Sequence, residues 1–229
     1  MSIAENVRRL REEIQEAAVK SGRVGADITL VAATKTQSVE DIRAAICAGV
    51  DACGENRVQE LGEKVAAQAY VGVPIHFIGH LQKNKVRKVV GVADLIQSVD
   101  SVELLGLIDR VAAELGITQE VLVQVNIGRD PAKFGVHAPE LQDFLEQVGQ
   151  FSHVRVRGLM TMLPLSAKKH EIRGLFAQMN QVYVDIRRQM HHNIRMDFLS
   201  MGMSGDFRDA ILEGANMIRI GSHIFGKRD

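Results

Sequence analysis

The sequence predicts an α/β protein: a single (β/α)8 TIM-like barrel with an extra N-terminal helix. Three observations carry this expectation. Eight short apolar stretches alternate with helix-patterned segments along the 229 residues. Those stretches are nearly continuous in hydrophobic character, as strands of a parallel sheet covered by helices are. No linker, low-complexity tract or composition shift divides the chain, so residues 1–229 read as one domain. A doubly wound open sheet would normally show a glycine-rich first turn, and "LVAATKTQS" has none.

The elements follow in order. Ile3, Val7, Leu10, Ile14, Ala17 and Ala18 form one apolar stripe on the first helix, which Gly22 and Gly25 break. "ITLVAAT" (28–34) is the first strand, and "SVEDIRAAICAGV" is a helix with Ser38 as its N-cap. "DACGEN" (51–56) and "IHFIGH" (75–80) are strands on either side of the helix "RVQELGEKVAAQAY". "KNKVRKVVG" reads as a helix, "ADLIQSV" as a strand, and "SVELLGLIDRVAAELG" as a helix ended by Gly116. "EVLVQVNIG" and "VRVRGLMTM" are Val-rich strands, followed by helices near 138–150 and 169–190. "MDFLSMG" and "NMIRIGS" complete the barrel, with the helix "GDFRDAILEG" between them.

Composition narrows the function. Lys plus Arg and Asp plus Glu number 28 each, so no net charge calls for nucleic acid or an anionic membrane. The N-terminus lacks the apolar run of a signal peptide, and no segment approaches a membrane span. Cys47 and Cys53 read as two reduced thiols rather than a disulfide. A cytoplasmic protein is expected.

In such barrels chemistry gathers at the C-terminal ends of the strands. Here those ends carry Lys35, Glu55/Asn56, His80, Ser98, Asn126, Thr161, Ser200/Met201 and Arg219/Gly221. Strand ends become polar wherever they meet solvent, which accounts for most of this set. Lys35 stands apart, because every other residue from Ile28 to Val39 is uncharged. A lysine buried among them would lose ammonium hydration, favour the free amine and condense with carbonyl groups. It is suited either to hold pyridoxal phosphate or to act as a Schiff-base aldolase.

Two phosphate sites are legible at the last strand ends. Ser204-Gly205-Asp206 reads as a helix start, and Gly221 with Ser222 offers close backbone approach and a hydroxyl. Arg219 shares a strand face with Gly221, so a ring held there meets a permanent cation. An arginine facing a pyridine nitrogen discourages its protonation and weakens the ring as an electron sink. His76 and His80 are spaced poorly for shared metal ligation from a strand, so no metal site is expected. His191-His192 reads as a solvated loop, and "QKNKVRK" (82–88) as a basic helix face, with a phosphate or partner site the lesser reading.

Seven motifs in order, "LVAATKTQSVEDI", "GENRVQE", "HFIGHLQKNKV", "KFGV", "GLMTM", "LSMGMSGDFRDAI" and "MIRIGSHIFG", resemble the pyridoxal phosphate homeostasis proteins of the YggS/PROSC type. The resemblance implies an alanine-racemase N-terminal-domain-like barrel that holds pyridoxal 5'-phosphate. It implies Lys35 as the Schiff-base residue and Arg219 beside the pyridine nitrogen. Gly221, Ser222, Ser204 and Ser200 would hold the phosphate, and Asn56 and Met201 would flank the ring. Ser222 stands where many relatives have threonine, and "SGD" where "SDD" is common; both keep the hydroxyl. A monomer is implied, with transient contact to client enzymes that use the cofactor.

Racemisation needs proton-transfer groups on both faces of the substrate's α-carbon. Alanine racemases take the second, a tyrosine, from a β-domain of a partner chain. Here the chain ends at Asp229, and Tyr70 and Tyr183 fall in helix patterns away from strand ends. The expectation is therefore a carrier with no catalytic residue. A weakly active racemase is the alternative.

Overall fold

The computed structural model describes residues 2–164, 168–189 and 193–226. Its strands are β1 (Thr29–Ala33), β2 (Ala52–Glu55), β3 (Ile75–Phe77), β4 (Leu95–Val99), β5 (Gln119–Gln124), β6 (Val154–Met160), β7 (Ile194–Ser200) and β8 (Met217–Ile220). They follow one another around a closed barrel in sequence order, and β8 pairs with β1 in parallel through Val31↔Arg219. The helices are α1 (Ile3–Lys20), α2 (Val39–Cys47), α3 (Val58–Ala66), α4 (Val102–Leu115), α5 (Leu141–Val148), α6 (Lys169–Arg187), α7 (Phe207–Leu212) and α8 (Ser222–Phe225).

Local chemistry starts and stops these helices. The hydroxyls of Ser38 and Ser101 accept the backbone N–H of Asp41 and Leu104, and Ser2 forms a reciprocal capping box with Glu5. Gly116 ends α4 at a φ of 68°, a left-handed conformation that glycine adopts without steric cost. The stripe read on α1 is buried against α2, α7 and α8, and Asn6 Nδ2 donates to the carbonyl of Ile224 at 2.9 Å.

Strand alternation sorts the apolar residues into two shells. Val31, Ala52, Leu95, Leu122, Met160 and Met217 fill the barrel interior. A larger shell, with Leu30, Ala32, Cys53, Leu199, Ile218 and Ile220 from the strands, packs against the helices. Apolar filling on both sides of most strands is why the strand sequences look almost uniformly hydrophobic.

Several expected boundaries shift. The segment read as a helix over 83–91 is a 3₁₀ helix, Lys83–Lys88. Its buried Val86 and Val89 lie three apart, which matches three residues per turn and docks one edge of the turn. β5 stops at Gln124 because Asn126 folds the following loop, its Nδ2 donating to Asp130 O and Lys133 O at 2.8 and 3.2 Å. α7 begins at Phe207, after Ser204-Gly205-Asp206 rather than with it, and α6 ends at Arg187. Cys47 and Cys53 are free thiols, one exposed and one buried. His191 and His192 lie outside the described residues. Among the described residues no helix is long and apolar enough to cross a membrane.

Candidate functional site

A cavity of about 520 Å³ opens at the C-terminal mouth between the ends of β1, β7 and β8. Lys35, Ser204, Arg219, Gly221 and Ser222 all line it, with Met203 and Phe225 supplying apolar surface. The volume is ordinary for a small-molecule site.

Lys35 is exposed rather than buried, which corrects the environment expected for it. It is the second residue of a turn closed by Gln37 N donating to Thr34 O at 3.0 Å. Thr36 occupies the third position at a φ of 63°, where type II turns prefer glycine. A β-branched residue there is strained, and strain persists only where the surroundings enforce it.

The enforcement comes from below the turn. Thr36 N donates to Glu60 Oε2 at 2.6 Å, and Lys64 Nζ donates to Thr34 O at 2.7 Å. The same ammonium reaches Glu55 Oε1 at 2.6 Å and Glu60 Oε2 at 3.2 Å. Glu55 Oε1 also accepts from Thr34 Oγ1 and from the Tyr70 hydroxyl, at 2.7 and 3.0 Å. Both residues flanking Lys35 are thus held through one cluster, buried at Glu55 and Lys64 and partly exposed at Glu60. Burial acts to raise the Glu60 pKa, but the Thr36 hydrogen bond and Lys64 outweigh it and hold that carboxyl low. Burial, then the charge of Glu55, pushes the Cys53 thiol up to about 12 and raises the Tyr70 phenol as well. Both stay protonated and inert at neutral pH.

Across the mouth, Arg219 is fixed by a directed chain. Its Nη1 donates to Ser200 Oγ at 2.6 Å and its Nη2 to Thr161 O at 2.8 Å. Ser200 Oγ donates to Gln97 Oε1 at 2.7 Å, and Gln97 Nε2 meets His76 Nδ1 at 2.9 Å. With Nδ1 accepting from the amide, the imidazole proton belongs on Nε2. Burial lowers the His76 pKa to about 4, so the ring is neutral at physiological pH. Burial also lowers the Arg219 pKa to about 10, against the opposing effect of Asp206, and the guanidinium remains charged.

Not every anticipated residue joins the cavity. Ser200 faces the barrel interior and orients Arg219; it does not line the cavity. Met201, expected against the ring, points the other way into the outer apolar shell and is fully buried. Ser200 is the last residue of β7 and Met201 the first beyond it, and the chain sends their side chains to different sides of the sheet. Asn56 lines an adjacent cavity, and its Oδ1 is buried without a protein partner. His76 lies inside the barrel, whereas His80 stacks on Phe134 with ring centroids 3.6 Å apart. Sequence reading did not single out Gln97, Glu60 or Lys64. An acidic and basic helix pattern such as "QELGEK" ordinarily marks a solvated face.

The residues suit a phosphorylated aldehyde. The cavity gathers an amine, two serine hydroxyls and a guanidinium, the donors such a ligand needs. A Cβ on Gly205 would meet no atom within 4 Å, and one on Gly221 would sit 3.6 Å from Ala33 Cβ, an ordinary contact. Packing therefore demands glycine at neither position, and both leave room for a ligand.

The architecture is that of the N-terminal barrel domain of alanine racemases. The family model of the alanine racemase N-terminal domain matches residues 2–229. An alanine racemase of Clostridium difficile 630 superposes with a TM-score of 0.74 at 18% identity, covering 98% of this chain and 60% of that one, a likeness of fold alone. Nearer relatives are named pyridoxal phosphate homeostasis protein. That of Aquifex aeolicus VF5 is 37% identical, covering 100% of this chain and 99% of its own, and that of Escherichia coli K12 is 36% identical, covering 99% and 97%. PipY of Synechococcus elongatus PCC7942, solved with PLP bound, matches with a TM-score of 0.85 at 36% identity, covering 98% of this chain and all of that one. The chain belongs to the alanine racemase N-terminal domain family and, within it, to the pyridoxal phosphate homeostasis proteins.

Proposed function

We propose that the chain binds pyridoxal 5'-phosphate as a Schiff base on Lys35 and acts as a non-catalytic carrier in homeostasis of the cofactor. The observation that carries this reading is the shared cavity of Lys35, Arg219, Ser204, Gly221 and Ser222. The Lys35 amine condenses with the ligand aldehyde, forming one C=N bond and releasing one water. Ser204, Ser222 and the backbone at Gly221 hold the phosphate, and Arg219 donates to the ring nitrogen. When bound, the cofactor supplies an electrophilic carbon and an electron-withdrawing ring; Arg219 keeps that ring a weak electron sink. Holding the aldehyde on one lysine keeps it from amines elsewhere.

Two further observations favour a carrier over a racemase. Tyr70 is engaged by Glu55, and the Tyr183 hydroxyl donates to Met196 O at 2.7 Å, so neither tyrosine of the chain serves as a second proton-transfer group at Lys35. The relatives carry the name of homeostasis proteins. We place the carrier in the cytoplasm as a monomer that meets client enzymes transiently; its two free thiols suit a reducing compartment.

The test is an absorbance titration with pyridoxal phosphate, paired with an assay for interconversion of alanine enantiomers. An imine band in the wild type, lost in Lys35→Ala, with no turnover, is the expected result. Turnover that depends on Lys35 establishes the racemase instead. A band of equal size in Lys35→Ala removes the Schiff-base assignment.

A further inference from the structure

The basic run at 82–88 is not absorbed by the site at Lys35. It borders a second cavity of about 800 Å³, lined by Asn56, Arg57, His80, Gln82, Lys85 and Lys88 among others, with no carboxylate in its wall. The cations of the run divide into two pairs. Lys83 is bound to Glu103, and Arg87 Nη2 lies 2.6 Å from Glu114 Oε2, so both are neutralised by carboxylates of α4. Lys85 and Lys88 line the cavity, and among the described residues neither has a carboxylate within 4.0 Å. The 3₁₀ geometry explains the division. Residues three apart eclipse, so the buried Val86 and Val89 on one edge set Lys85 and Lys88 together on another. Arg57 adds a further cation to the wall, offset in part by Glu60 at 3.3 Å, and His80 lies 3.6 Å from Asp100. Gln82 adds a side-chain amide to the wall, able to donate to a phosphate oxygen or accept from a ligand hydroxyl.

We propose that this cavity is a binding site for small hydroxylated phosphate monoesters, separate from the cavity at Lys35. Two uncompensated ammonium groups meet the dianion, and the Gln82 amide meets the ligand body. The volume exceeds what a bare phosphate needs, so an ester binds better than the inorganic ion. The proposal does not depend on a Schiff base at Lys35, and both cavities open to the barrel mouth.

Amide chemical shifts of the full chain, titrated with glycerol 2-phosphate and with inorganic phosphate, test it. The probes carry no aldehyde, so they label no lysine. Saturable shifts at Arg57, Gln82 and Lys85, larger for the ester, are expected. The double substitution Lys85→Gln with Lys88→Gln should weaken binding by about tenfold or more. Lys83→Gln with Arg87→Gln removes the same formal charge from paired, exposed positions and should leave binding unchanged. Equal weakening in both double variants would reduce the effect to diffuse charge and overturn the site. Shifts confined to residues 203–205 and 221–223, or none at all, would overturn it as well.

Discussion

Lys35 and Lys64 serve the same strand end from opposite sides, and they differ in what their ammonium groups meet. Lys64 is buried, with Glu55, Glu60 and the Thr34 carbonyl all within 3.2 Å. Lys35 is exposed to a ligand-sized cavity beside Ser204, Ser222 and Arg219. A buried ammonium with a full set of acceptors has its donors engaged, and its work is structural. A lysine that faces a cavity from a strained, clamped turn is aimed but unspent. The lesson concerns division of labour: one lysine fixes the backbone that points the other.

Substitutions separate the two roles. Lys64→Met leaves the Glu55 carboxylate buried without its cation and should cost about 3–5 kcal/mol of folding stability, read by denaturant melts. Lys35→Met removes an exposed side chain and should stay within about 0.5 kcal/mol of wild type while abolishing the imine band. If Lys64→Met melts like wild type, the clamp is not a structural element.

On the Arg219 side the largest effect is one of pH. His76 drops from 6.5 to about 4 on folding, so between those values the unfolded chain binds a proton that the native one refuses. Stability is therefore complete above pH 6.5 and declines as pH falls toward 4, by on the order of 3 kcal/mol in total. His76→Gln keeps an acceptor for Gln97 and should flatten that slope. A slope unchanged in the variant would assign it to other groups.

Smaller changes probe the turn itself. Glu60→Gln replaces the charge-assisted bond to Thr36 N with a neutral one, and should cost about 1 kcal/mol and loosen cofactor binding severalfold. Thr36→Gly relieves the left-handed φ and should stabilise the fold by about 0.5 kcal/mol, yet weaken binding because Lys35 is less firmly directed. Stabilisation with tighter binding would show that the strain at Thr36 opposes function.

The barrel was legible because parallel strands buried on both faces leave long apolar runs that few other folds produce. Lys35 was found by its uncharged neighbours, yet its burial was misjudged: the residues beside it in sequence do not cover a side chain that leaves the barrel mouth. Arg219, Gly221, Ser222 and Ser204 followed from strand-end position and turn chemistry, and they do share a cavity. Met201 rests on the family resemblance alone, with no pattern in the sequence to give its side, and its side chain lies in the outer apolar shell. Lys64, Glu60 and Gln97 were out of reach. Glu60 meets Thr36 from 24 residues away once β1 and β2 pair, and Gln97 meets Ser200 from 103 residues away across the closed barrel.

The central claim is that Lys35, and no other lysine, carries the aldehyde. Borohydride reduction of the protein loaded with pyridoxal phosphate, followed by peptide mapping, tests it most directly. A single reduced adduct on the peptide containing Lys35, at one equivalent per chain, is the predicted result. An adduct on Lys64, or one spread over Lys83, Lys85 and other surface lysines in comparable yield, would contradict it.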